Sequence, residues 1–269
     1  MINEEFFNTY IRQIEDINLF SEIFEIGSDA SYKVRNELVH NNSQRDTSQL
    51  MKTMDLAHFI EIQEKKGFPF LYNLLSIRIW SLLEAFVDEF IIKILIEKED
   101  LRSISQLGRL KGELINFLYK PKYEQADLLL DLLKADQKIN GQFGVGKFES
   151  LLNIFDHGGH INNLVSKQLM ELSQIRNILV HKNGLSDERV ITNCPWLDLE
   201  LGQEINLDLG HFQRYMNSVY WYVLEVFKRQ SLNSERTNLR APIEQRQEEA
   251  INLITYYLKF KSIRKKRNG

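Results

Sequence analysis

The sequence predicts an all-α protein, and three observations carry that expectation. Proline and glycine are sparse, with 4 and 13 residues among 269, whereas a chain built on frequent tight turns needs more of both. Apolar residues recur at spacings of three and four over long stretches, the period of a helix that buries one face. Hydrophobic residues make up 43% of the chain, enough to give those faces a sizeable common core.

Taken in order, Glu4 to Ile26 reads as a helix, with Phe6, Phe7, Tyr10, Ile14, Ile17 and Phe20 on its stripe. Gly27-Ser28-Asp29 reads as a stop followed by a new N-cap, with a second helix from Ala30 to His40. Ser48 to Lys66 is helix-compatible and more polar, and Gly67-Phe68-Pro69 breaks it, with Pro69 placed to start the next helix. That helix runs from Phe70 to Glu97 on Leu71, Leu74, Leu75, Ile79, Leu82, Leu83, Phe86, Phe90 and Ile94. Its section WSLLEAFVDEFI is the most apolar of the chain and is expected at the centre of the bundle. Leu101 to Leu118 and Tyr123 to Lys134 read as further helices, and NGQFGVGKFESLLNIF as a Gly-rich loop leading into another. A helix around Leu172 to His181 precedes a stretch, Asp187 to Asn206, in which the alternation of WLDLEL suggests a short extended excursion or hairpin. His211 to Gln230 is a helix on Phe212, Tyr215, Val219, Tyr222, Val223 and Val226. A polar linker leads to a last helix, Ile243 to Tyr257, and a basic tail.

The totals narrow the class. A net charge of −3 excludes a uniformly basic nucleic-acid binder, so any RNA affinity must come from a local patch. A single cysteine, Cys194, allows no internal disulfide and suits a reducing cytoplasm. The first residues, MINEEFFNTY, carry no basic n-region of a secretory signal. The longest apolar run, FIIKILI, is short and interrupted by Lys93, so no membrane span is expected.

The chemistry-bearing stretch is QIRNILVHKNG, Gln174 to Gly184. On a helix Asn177 and His181 stack four apart on one face, with Arg176 on its flank. Leu172, Ile175 and Leu179 form the opposite, core-facing stripe. A guanidinium grips phosphate bidentately, and an imidazole moves protons near neutral pH. This R-N-x3-H at a helix end resembles the signature of the HEPN-domain ribonucleases, and the helix order extends the resemblance over about Phe68 to Gln230. The resemblance implies an antiparallel helical bundle and metal-independent RNA cleavage, with no cofactor and no metal. In it the catalytic residues are Arg176, Asn177 and His181, and two protomers pair their motifs across a two-fold axis. It also implies a toxin or defence setting, with an antitoxin or sensor as a further partner. The bland reading of the same residues is a helix C-terminus where His181 suits the dipole and Arg176 makes a surface ion pair.

A second copy, Arg35, Asn36 and His40 in KVRNELVHNN, repeats the spacing. It is either half of a composite site or a chance match, since too few helices precede it for a complete domain of that kind. Glu84, mid-helix among apolar turns, is either a solvated edge residue or a partner for Arg176. Gly141-x4-Gly146-Lys147 matches the first part of a phosphate-binding loop. However, Phe148 stands where a Ser or Thr should hold magnesium, and the preceding segment looks helical, so it reads as a helix-initiating loop. His157 and His160 in DHGGH lack further metal ligands and are expected to face solvent. The tail Lys259 to Arg267, with six basic residues, is equally a non-specific phosphate holder and a solubilising terminus.

The organisation expected is thus an N-terminal helical extension (1–67), a HEPN-like bundle (68–230), and a linker, helix and basic tail (231–269). The function expected is an endoribonuclease acting on RNA. The rival is a non-catalytic helical module that binds nucleotide or RNA, or serves as a regulatory or assembly subunit.

Overall fold

The computed structural model describes residues 2–40, 47–98, 100–101, 106–107, 117–136, 142–234 and 237–267, with side chains at 25, 28–40, 47–50, 53, 57, 237 and 260–267 outside that description. The described residues form an all-α bundle: α1 (Glu4–His40), α2 (Thr47–Lys66), α3 (Pro69–Glu97), α4 (Lys122–Ala135), α5 (Val145–Asn153), α6 (Asn163–His181), α7 (Glu188–Asn193), α8 (Leu209–Asn233) and α9 (Arg240–Arg267). No described helix is long and apolar enough to cross a membrane.

Two helices share the centre. α3 buries Ile79, Leu83, Phe86, Val87, Phe90 and Ile91 completely, as its apolar composition foretold. α8 packs against α9, α3, α6 and α1, and its stripe Phe212, Tyr215, Val219, Tyr222, Val223 and Val226 is fully enclosed. Because neighbours surround it, α8 also buries polar side chains off the stripe, Arg214, Asn217, Ser218 and Glu225 among them. α1 is tied to this centre by rings. Phe7 stacks on Phe227 at 4.3 Å, and Phe6 stacks on Phe86 at 5.7 Å. Burying one such ring contributes about 1.5–3 kcal/mol, so the first turns of α1 are firmly docked.

Two local expectations are corrected. Gly27-Ser28-Asp29 does not end a helix: α1 continues to His40. One glycine inside a helix costs only about 1 kcal/mol, and nothing crowds Gly27, so a long helix tolerates it. Phe20 and Leu74, assigned to apolar stripes, are more than half exposed. The short excursion expected after α6 is present as an irregular segment, with α7, a 3-10 turn at Pro195–Leu197 and a single antiparallel bridge between Leu185 and Glu204, and of the two forms offered for WLDLEL the hairpin is not the one found. Most of the helix expected over Leu101 to Leu118 lies outside the described residues. The C-terminal helix runs through the basic tail to Arg267.

Candidate anion-binding and catalytic site

α6 starts on a side-chain cap, Asn162 accepting from the Leu164 amide at 2.9 Å. Val165, Leu169, Leu172, Ile175 and Ile178 seat it in the core. It ends at His181, where the amides of Lys182 and Gly184 both donate to the Ile178 carbonyl. Asn183 and Gly184 then take positive φ, 52° and 76°, and turn the chain out. His181 is therefore exposed on the last turn, one turn beyond Asn177 on the same face.

Arg176 and Asn177 face a cavity of about 480 Å³ among α3, α4, α5, α6 and α7. Glu84 of α3 reaches Arg176 Nη2 at 3.6 Å, so the pairing raised from the sequence is the arrangement found. Arg176 Nη1 donates to Asn177 Oδ1 at 3.3 Å, while its Nε is buried with no partner among the described residues. His181 is not among the residues that line it.

Sequence reasoning missed three more cations on the same walls: Lys134 of α4, Lys147 of α5 and Arg189 of α7. Lys134 is paired with Asp88 at 2.6 Å. Burial pushes the Asp88 carboxyl up, opposed by its hydrogen bond to Lys134 and by the charges of Lys134 and Lys147. Arg189 lies over the Phe143 ring at 4.6 Å. Among the described residues, neither Lys147 nor Arg189 has a carboxylate within ion-pair distance. Four cations and two carboxylates leave the cavity with two excess positive charges, in a chain whose net charge is −3. The one sequence signal for this was Gly146-Lys147. Gly144 sets that loop: its φ of 56° with ψ of −136° is open to glycine alone. A Cβ there would also meet Met170 Cα of α6 at 3.1 Å.

Elsewhere on α6 lies a second arginine–carboxylate group. Glu171 accepts from Tyr215 Oη at 2.9 Å and Trp196 Nε1 at 3.0 Å, and Arg214 Nη2 lies 3.6 Å away. Burial, then the charge of Glu171, pushes the Tyr215 hydroxyl well up, and burial first takes the nearby Cys194 thiol up to about 12.

The remaining sequence candidates are placed as follows. Arg35, Asn36 and His40 fall on the final turns of α1, and their side chains lie outside the described residues. His157 is not solvent-facing: its ring contacts the Phe155 carbonyl and Gln230, each at 2.6 Å, and packs edge-on against Phe90. Arg229 fastens the same loop, donating to the His157 and His160 carbonyls and pairing with Glu149. His160 itself is exposed. No group of three or more His, Cys, Asp or Glu suited to a metal occurs among the described residues. No protein-family model, curated protein or solved structure matches this chain.

Proposed function

We propose that this chain is a metal-independent endoribonuclease of the HEPN type, working in the cytoplasm as a toxin or defence effector. One observation carries the reading: the R-N-x3-H helix brings its Arg and Asn to the wall of a cation-rich cavity and leaves its His exposed on the last turn of the same helix. The 2′-hydroxyl of the RNA attacks the adjacent phosphorus, and its proton passes to a base. The bond to the 5′-oxygen breaks and that oxygen is protonated, which leaves a 2′,3′-cyclic phosphate and a 5′-hydroxyl. His181 is assigned the proton transfers, and Arg176 the charge on the phosphate oxygens. Asn177 orients Arg176 through their hydrogen bond. A 2′-hydroxyl nucleophile restricts the substrate to RNA. The exposure of His181 suits a homodimer in which two copies pool their motifs, with an antitoxin or sensor as silencing partner.

Two features favour the rival reading of a non-catalytic nucleotide- or RNA-binding module. Arg176 is already held by Glu84, and His181 stands outside the cavity lining. An RNA-cleavage assay in EDTA separates the two. The nuclease reading expects 5′-hydroxyl ends from the wild type and none from Arg176→Ala or His181→Ala, with folding and dimerisation retained. His40→Ala reports whether the first motif takes part. A folded dimer that cuts no RNA, or variants that cut as well as wild type, would overturn it.

A further inference from the structure

The cavity has a charge pattern of its own, and the inference drawn from it does not rest on cleavage. Lys134 and Arg176 are each matched by a carboxylate, Asp88 and Glu84. Lys147 and Arg189 are not, and they supply the two excess positive charges. We infer that the cavity binds a terminal phosphomonoester of a nucleotide, gripped by Lys147 and Arg189, with the base against the Phe143 ring. The ligand is a free mononucleotide or the phosphorylated end of an RNA.

Charge selects the monoester. A monoester carries about −1.5 to −2 near neutral pH, which matches the excess, whereas an internal diester carries a single negative charge. Size agrees: about 480 Å³ lies within the range of about 300–1,000 Å³ common for small-ligand pockets. Arg176 adds a guanidinium to the cavity wall, with Glu84 beside it at 3.6 Å. A stacking surface is ready as well. Phe143 is 41% exposed with Arg189 over its ring at 4.6 Å, and base–aromatic stacking tolerates any base. The positions are fixed in advance. Gly144 holds the 142–144 loop against α6, and Phe148, packed on Trp80 at 5.4 Å, anchors the helix that carries Lys147. The site is not a P-loop, because Phe148 offers no hydroxyl for magnesium. It is a small-anion pocket assembled from five helices and a loop.

Isothermal titration with adenosine 5′-monophosphate, adenosine 3′-monophosphate, adenosine and inorganic phosphate tests this on the full chain. Ten-nucleotide RNAs with 5′-phosphate, 3′-phosphate or only hydroxyl ends are titrated in the His181→Ala background, so that cleavage cannot consume them. The expected result is that a phosphorylated form binds at least about tenfold more tightly than its unphosphorylated counterpart. Lys147→Gln and Arg189→Gln should each weaken it about tenfold or more, and Lys147→Arg should restore much of it. Matched urea-unfolding midpoints keep a folding defect from imitating the loss. Binding by mononucleotides identifies the free nucleotide as ligand, and binding by end-phosphorylated RNA alone identifies the RNA end. Equal binding of adenosine and its monophosphates, no binding at millimolar ligand, or unchanged binding by both Gln variants would overturn the proposal. Loss of cleavage on its own would leave it standing.

Discussion

α6 carries two arginine–carboxylate groups that use the same residue types to opposite ends. Around Glu171, the carboxylate and Arg214 are 3% and 4% exposed, and two further donors, Trp196 and Tyr215, converge on the carboxylate. Around Arg176, the guanidinium and Glu84 are 24% and 40% exposed, and unmatched cations stand nearby. A buried charge must have its partners within the fold, because water cannot replace them. An open, incompletely matched group costs the fold little and remains available to a ligand. The lesson is that the composition of an ion pair does not tell its role; enclosure does.

The largest effect is expected from Glu171→Ala. It leaves Arg214 charged and buried without its counter-ion, at a cost of about 3–5 kcal/mol measured by urea denaturation. A loss under 1 kcal/mol would erase the contrast between the two groups. Next comes Gly144→Ala, which forces a Cβ into a glycine-only conformation against Met170. It is expected to cost about 1–3 kcal/mol and to weaken phosphate binding by displacing Lys147. Glu84→Ala, at the open group, is expected to change stability by no more than about 1 kcal/mol. A larger loss would mean that Arg176 is a structural residue.

The smallest effect on stability near neutral pH concerns Cys194, beside the closed group. With the thiol taken up to about 12, its thiolate at pH 8 is about a thousandfold scarcer than in a free cysteine. Native protein should resist iodoacetamide that labels the urea-unfolded chain quickly. Because the folded thiol holds its proton to higher pH than the unfolded one, this contribution to stability is full below pH about 8.5. It is lost progressively as pH rises towards about 12. Rapid native labelling at pH 8 would show that this side of α6 is open after all.

Helical periodicity made most elements legible, since each stripe is a local property of twenty or so residues. It also made the face of α6 legible, whereas for Glu84 it offered the pairing with Arg176 only as the lesser of two readings, because a carboxylate among apolar turns is most often a solvated edge residue. Lys134, Lys147 and Arg189 were not legible as a set. They sit on three elements, and only packing brings them to one cavity. The closed group was hidden for the same reason: Arg214 lies 43 residues beyond Glu171, and on their own helices both look like ordinary polar positions. The helix break expected at Gly27 failed because glycine weighed more in the local reading than in a helix as long as α1.

The most direct test measures Arg176→Ala and Glu171→Ala side by side, in urea unfolding and in RNA cleavage per folded molecule. Arg176→Ala is expected to unfold at the wild-type midpoint and no longer cut, while Glu171→Ala is expected to unfold far earlier with a folded fraction that still cuts. Arg176→Ala that loses several kcal/mol of stability, yet cuts normally while folded, would contradict that expectation.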